Sequence, residues 1–385
     1  MKIDICHIYP ITSGTAGTYM DGIYNALKSS FSQMVFVNNY YPFNYGKKWF
    51  YKYSDLSSQY YFLKKHNTLR RAIRFVELIV GLIRTYVFIV NNKVKVVNYS
   101  LNSDLSIEYL FLSALKKHHI KIVITCHDVL PFGVSLEGIT KSKKFAKKKK
   151  FFELADFLLI HNENSKSELN RYYGISGNKV ISSPFPIMDI NIFYKENSLP
   201  DKIRNFLSNS SFLVAMVGYF RSEKGLKILI DAWKIFCTTN VNAQLVIAGF
   251  FPNKEDLSII SGSNSVCVYE DFLSDSAYAE LIKKSNVVVM PYLRGTNSGI
   301  PSSIASMGTC VVSSDIEMFK NSPFISECAM FESGNSESLA RKLSELYQNR
   351  DNINNRIEYE CQQNYKNYQA LYSKILIKSY KRIVN

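Results

Sequence analysis

Residues 212–225 read FLVAMVGYFRSEKG, from Phe212 to Gly225. The first six are apolar, with no alternation between an inward and an outward face. That pattern marks a strand buried on both sides, as in a parallel sheet. The next stretch, Leu226 to Phe236, carries apolar residues at helical spacing. Strand, short turn and helix together make one unit of a doubly wound α/β fold. Arg221 and Lys224 fall in the turn, at the carboxyl end of the strand, where such sheets bind ligands. Two cations there suit a phosphate-bearing ligand; a solvated basic loop is the competing reading.

The same plan extends in both directions. Upstream, Ile3–Ile8, Met34–Val37, Val94–Tyr99, Ile120–Cys126, Asp156–His161 and Lys179–Ile181 read as buried strands, with helices such as Ser106–Lys117 and Ser165–Tyr172 between them. Downstream, Gln244–Gly249, Ser265–Tyr269, Asn286–Pro291 and Thr309–Ser313 read the same way. Pro184, Pro186 and Pro200 punctuate the stretch between the two series. The fold class predicted is α/β, with two Rossmann-like doubly wound domains facing a cleft. Their expected extents are 1–185 and 186–363, followed by a tail helix over 364–385.

Length and composition agree with this plan. The chain has 385 residues, 46% of them hydrophobic, enough for two cores. Its seven cysteines are scattered and form no C-x-x-C pair, so neither a zinc site nor a disulfide framework is indicated. Free thiols and the lack of a basic region before a long apolar core predict a cytoplasmic protein without a secretory signal. Phe75–Val90, the most apolar long stretch, contains Glu77 and Arg84. It is expected as a buried helix of the first domain, being too short and too charged to span a bilayer. The net charge of +15 favours an anionic partner: nucleic acid, anionic lipid or a phosphate-bearing substrate.

Three further motifs follow predicted strands. Ser13-Gly14-Thr15-Ala16-Gly17-Thr18 leads into a predicted helix, Tyr19–Lys28. Gly14 and Gly17 would let backbone approach a phosphate or sugar, and a plain strand–helix turn reads equally well. The loop does not fit G-x-G-x-x-G, and no acidic residue ends the second strand, which disfavours a nicotinamide cofactor. Thr125-Cys126-His127-Asp128 places an imidazole at a strand end, suited to proton transfer or to orienting a hydroxyl, or to a purely structural role. Pro291 to Pro301 reads PYLRGTNSGIP and enters a helix predicted over Ser302–Met307. Ser298 or Gly299 can cap that helix, and amides at its start can meet a pyrophosphate without a metal.

In this order the motifs resemble the retaining GT-B glycosyltransferases of family 4. More narrowly, they look like a branch with a Gly-Phe-Ile-Arg-x-x-Lys-Gly loop and a Thr-Gln-Ser-Gly loop. Here these read Gly218-Tyr219-Phe220-Arg221-Ser222-Glu223-Lys224-Gly225 and Thr296-Asn297-Ser298-Gly299. Thr125-x-His127-Asp128-x-x-Pro131, Ala155-Asp156 and Leu245-Val246-Ile247-Ala248-Gly249 add supporting matches. The resemblance implies a UDP- or GDP-sugar as co-substrate, bound mainly by the second domain, no other cofactor and no metal, and an acceptor on the first domain. It implies that Arg221 and Lys224 hold the donor diphosphate, that Ser298, Gly299 and Ile300 meet the phosphates through their amides, and that His127 lies near the transferred sugar. Gly14 and Gly17 would fall in the first-domain loop that faces the donor. The acceptor would be a glycan, with a lipid-linked glycan fitting best, in envelope polysaccharide or O-antigen-type biosynthesis. One departure is plain. Many members carry two glutamates separated by seven residues, and the matching positions here are Gly295 and Ser303. Ribose and sugar-hydroxyl contacts therefore do not carry over.

Lys141–Phe152 reads KSKKFAKKKKFF. A helix of this composition, with Phe145 and Phe152 on one side, is expected to rest on the inner membrane surface and make the protein peripheral. Three other functions compete: a non-catalytic GT-B-like partner protein, a nucleotide-sugar isomerase or hydrolase, and a nucleic-acid-binding protein. The last has only the charge in its favour, because no base-reading motif accompanies it, and nucleic acid is not expected as a partner.

Overall fold

The computed structural model describes residues 3–10, 16–37, 47–49, 67–101, 105–131, 136–207, 212–240, 242–252, 263–295, 298–320 and 322–384. The chain forms two compact units. Unit 1 comprises Met1–Pro186 with Ala370–Asn385, and unit 2 comprises Ile187–Gln369.

Among the described residues, unit 1 is built on seven strands: β1 (Ile5–Ile8), β2 (Gln33–Val37), β3 (Lys47–Trp49), β4 (Val96–Leu101), β5 (Lys121–Cys126), β6 (Phe157–Ile160) and β7 (Val180–Ser182). They pair in parallel in the order β3-β2-β1-β4-β5-β6-β7. Its helices are α1 (Ala16–Leu27), α2 (Asn67–Asn91), α3 (Ser106–Lys116), α4 (Lys143–Leu154) and α5 (Glu163–Tyr173). Parallel pairing requires crossovers, and right-handed crossovers place α1 on one face of the sheet and α2 to α5 on the other. Side chains alternate accordingly. Cys6, Val97, Ile122 and Leu158 join the apolar core under α2 to α5. Each such fully buried aliphatic side chain contributes about 1.5–3 kcal/mol.

The opposite face carries a polar row through four adjacent strands. His7 donates from Nε2 to Gln33 Oε1 (2.9 Å), and Asn98 Nδ2 donates to His7 Nδ1 (3.2 Å). Thr125 donates its hydroxyl to Asn98 Oδ1 (2.9 Å). A buried polar group costs little only when hydrogen-bonded, and each member of this row has a partner.

Unit 2 repeats the topology with β8 (Phe212–Tyr219), β9 (Ala243–Phe250), β10 (Val266–Tyr269), β11 (Val287–Met290), β12 (Cys310–Ser314) and β13 (Met330–Phe331). All pairs are parallel, in the order β10-β9-β8-β11-β12-β13. Its helices are α6 (Asp201–Phe206), α7 (Leu226–Phe236), α8 (Asp275–Lys284), α9 (Ile300–Ser306), α10 (Glu317–Lys320) and α11 (Ser336–Gln348). The last helix, α12 (Arg350–Val384), starts in unit 2 and ends in unit 1. There Tyr372, Leu376 and Tyr380 are buried, and the Tyr380 ring lies 6.4 Å from those of His7 and Phe31.

Two sequence expectations require correction. α2 is not a buried helix: one side packs inward through Leu78, Leu82 and Ile89, while Val76, Val80 and Ile83 face outward. The aromatic residues of α4 are not available to a membrane. Phe145, Phe151 and Phe152 are buried, and Phe145 stacks on Tyr173 at 4.3 Å, so no aromatic ring of that segment faces out. The apolar side of α4 has gone to the sheet.

Glu280 fixes the start of unit 2. Its buried carboxylate accepts hydrogen bonds from the amides of Asn197 (3.1 Å), Ser198 (2.6 Å) and Leu199 (2.9 Å). Glu280→Ala would leave three amides without acceptors and is expected to cost about 2–4 kcal/mol. Urea denaturation checks this, and an unchanged midpoint would contradict it.

Candidate active site

In unit 2 the site grows from a steric demand. Gly225 has φ +69, and a Cβ there would lie 1.8 Å from the carbonyl oxygen of Pro291. Only glycine lets the turn after β8 come this close to the end of β11. Leu293 N then donates to Glu223 O (2.8 Å), which locks the two segments together. The contact carries the Lys224 ammonium onto the ring of Tyr292, 3.6 Å from its centroid. This is a cation–π geometry on a buried tyrosine. Burial lowers the Lys224 pKa to about 8; Arg221 adds to the fall and Glu223 opposes it.

Arg221 is exposed, pairs with Glu223 (Nε to Oε1, 3.1 Å) and lies over the Tyr219 ring at 5.9 Å. Burial pushes the Glu223 carboxyl up, but its backbone hydrogen bond and the charges of Arg221 and Arg294 outweigh this and hold it low. A charged Glu223 therefore orients Arg221 without neutralising Lys224. The two cations sit where strand order reverses between β8 and β11, the position at which doubly wound sheets bind ligands.

The segment Ser298–Ile300 opens α9. Gly299 is its N-cap and Pro301 occupies its first turn. Ile300 N donates to Ser298 Oγ at 3.4 Å. Thr296 and Asn297 lie outside the described residues. At the two positions of the absent glutamates, the surroundings have closed in. A Cβ on Gly295 would come within 3.0 Å of Met318 Cε, and Ser303 is buried with its hydroxyl donating to Gly299 O (3.0 Å).

One feature at this end of the sheet was not read from the sequence. Tyr219 and Phe250 end β8 and β9 in register, and their rings stack at 5.2 Å. Phe272, just beyond β10, stacks on Phe250 at 6.0 Å with only 7° between planes. All three rings are exposed. The signal was the paired sequence Gly218-Tyr219-Phe220 and Gly249-Phe250-Phe251. Gly249 is required there, since a Cβ would lie 1.8 Å from Gly218 O.

In unit 1, Gly14 lies outside the described residues, and Gly17 sits in the first turn of α1, which starts earlier than its sequence suggests. His127 follows β5 and stacks on Tyr9 at 5.2 Å, with Tyr19 edge-on at 4.8 Å. Burial, then His161 and Lys148, lower its pKa to about 3, so the ring is a neutral imidazole. His161 was missed because it reads as the end of an apolar run. Its Nδ1–H donates to the carbonyls of Ser183 (3.1 Å) and Pro184 (3.2 Å), leaving Nε2 to accept from the Tyr19 hydroxyl (2.6 Å). Among the described residues, no group of His, Cys, Asp and Glu could hold a metal.

Residues 211–349 match the family model for glycosyl transferases group 1. Residues 46–185 match the model for the glucosyltransferase 3-like N-terminal domain. No curated protein matches the chain. Among solved structures, a glycosyltransferase from Rickettsia africae is 14% identical, with 100% of this chain and 99% of that one covered and a TM-score of 0.61. A putative UDP-N-acetylglucosamine 2-epimerase from Listeria monocytogenes is 13% identical (97% and 94% covered, TM-score 0.60). Anabaena HepE in complex with UDP is 13% identical (99% and 98% covered, TM-score 0.58). The fold is GT-B, with two Rossmann-like units. The group 1 domain spans the cationic turn and the α9 loop of unit 2, and the chain is a glycosyltransferase.

The buried histidines make unit 1 sensitive to acid. Burial lowers His7 and His161 to about 4 each. Between about 6.5 and 4 the unfolded chain binds protons that the folded chain refuses, so stability is full above about 6.5 and falls with pH. Each histidine should remove about 1.4 kcal/mol per pH unit within that window. Denaturant titrations at pH 7, 6 and 5 should show the decline, with a shallower slope for His161→Gln. Equal stability at pH 7 and 5 would contradict the assignment.

Proposed function

We propose that the chain transfers a sugar from a nucleoside-diphosphate donor to a glycan acceptor, with retention of anomeric configuration. The observation that carries this reading is the Lys224 ammonium held on Tyr292 beside Arg221, at the strand ends of a group 1 domain. Cations fixed in advance stabilise the charge of a departing diphosphate at no reorganisation cost. In this reading Arg221 and Lys224 receive the diphosphate, and the amides of Gly299 and Ile300, with Ser298, meet its outer oxygens. The exposed row of Tyr219, Phe250 and Phe272 offers a flat surface for the nucleobase.

His127, with Gly14 and Gly17, serves the sugar end. A neutral imidazole orients a hydroxyl rather than supplying a proton. Retention follows from front-face attack, in which a departing phosphate oxygen takes the acceptor's proton and the protein acts through positioning. The UDP held by HepE and the glucosyltransferase description of the unit 1 match make UDP-glucose the first donor to test. The acceptor is a lipid-linked glycan of envelope polysaccharide or O-antigen type. The isomerase reading rests on the Listeria epimerase fold.

Melting temperatures recorded with UDP, GDP, ADP and CMP test the donor site. One nucleoside diphosphate at 100 times its Kd should stabilise the fold by about 2.7 kcal/mol. An Arg221→Ala/Lys224→Ala variant should abolish the shift. No shift for any nucleotide would contradict the reading. Release of UDP from UDP-glucose that requires added acceptor would separate transfer from isomerisation.

A further inference from the structure

α2 is apolar on two opposite sides. Leu78, Leu82 and Ile89 face the sheet, as any amphipathic helix requires. Leu69, Val76, Val80, Ile83 and Val87 are between 42% and 60% exposed. At about 100° per residue these five fall within an arc of about 60°. They form one stripe, opposite the packed side. Soluble surfaces scatter single apolar residues; a row of this length marks something that covers it. No helix among the described residues is long and apolar enough to cross a membrane.

Charge identifies the occupant. α2 carries Arg70, Arg71, Arg74 and Arg84, and its one carboxylate, Glu77, is buried. At its carboxyl end Ile89 and Val90 line a cavity of ≈ 690 Å³. The other walls of that cavity carry Lys93, Lys95, Lys121 and Arg382, with His118 and His119, and no carboxylate. α3 packs beside α2 and adds Leu110, 66% exposed; α4 packs beside α3 and turns Lys143, Lys147 and Lys150 outward. An apolar stripe with an arginine, Arg84, at its edge and a basic cavity at its end is the surface that lies in the headgroup region of an anionic bilayer. A second copy of the chain fits poorly. A twofold contact through this stripe would set two chains of the same sign, each with a net charge of +15, against one another.

We propose that unit 1 docks on an anionic lipid bilayer through the outward stripe of α2, with lipid phosphates drawn to the basic cavity at its end and to the lysines of α4. This deepens the lipid-linked acceptor reading above. It moves the apolar contact from Lys141–Phe152 to Leu69–Val87 and leaves α4 an electrostatic role.

Flotation of the full chain with phosphatidylcholine vesicles, with and without phosphatidylglycerol, tests it. The protein should float with the anionic vesicles and be released by salt. Val80→Asp/Ile83→Asp should lower the bound fraction about tenfold or more, Val80→Gln/Ile83→Gln should lower it less, and Lys93→Gln/Lys121→Gln should lower it several-fold. The glutamine pair keeps the test open should the aspartate pair fail to fold. All three variants should keep the nucleotide-induced melting shift, which separates loss of docking from loss of the donor site. Wild type that ignores anionic vesicles, or stripe variants that bind them as well as wild type, would overturn the proposal. So would a wild-type oligomer that the stripe variants dissociate without change in vesicle binding.

Discussion

Gly225 and Pro291 approach so closely that no side chain fits between them. The geometry of the candidate donor site depends on that contact. It pins the turn after β8 to the segment after β11, and the backbone bond from Leu293 to Glu223 holds the pair in place. Lys224 lies across Tyr292. An ammonium placed there loses water on one side and keeps a charge whose proton is held less firmly than usual. The second close approach, Gly249 against Gly218, brings the ends of β8 and β9 together and sets Tyr219 on Phe250. Two glycine contacts thus place a cation pair and an aromatic surface at one end of one sheet.

Unit 1 reaches a comparable arrangement with polar groups. A parallel sheet covered on both faces normally presents only aliphatic side chains. Here Gln33, His7, Asn98 and Thr125 cross four strands in one layer, each bonded to the next. Beyond them the Tyr19 hydroxyl meets His161, whose other nitrogen is tied to the carbonyls after β7. The bonds to His7 and His161 are those of neutral imidazoles, one nitrogen donating and the other accepting. The row fixes ring orientation near His127 and makes the unit intolerant of acid.

Much of this was legible in the sequence because burial on both faces leaves a plain trace. The strands expected from Phe212, at Ile120–Cys126 and at Asn286–Pro291 are found at Phe212–Tyr219, Lys121–Cys126 and Val287–Met290, and α7 spans Leu226–Phe236 as its periodicity indicates. β3 and β13 escaped because three and two residues leave no pattern to read. α12 begins at Arg350, well before the periodic stretch at Asn364, because its first turns carry mostly polar residues. The aromatic row was invisible because its members are adjacent only across strands. α4 misled for a related reason: lysines and phenylalanines look the same in sequence whether the rings meet lipid or a sheet. α2 misled in the opposite direction, since apolar content does not say which of two apolar sides is covered.

The central claim is that a half-buried Lys224 ammonium seats the donor diphosphate. The affinity for UDP measured calorimetrically from pH 7 to pH 9.5 tests it most directly, because the phosphates are already ionised throughout that range. With the Lys224 pKa near 8 in the empty site, the Kd should rise above that pH, approaching about tenfold per unit. Lys224→Arg, which keeps its charge, should flatten the rise. A wild-type Kd that stays constant through pH 9.5 would show that the diphosphate is held without this proton and would contradict the account.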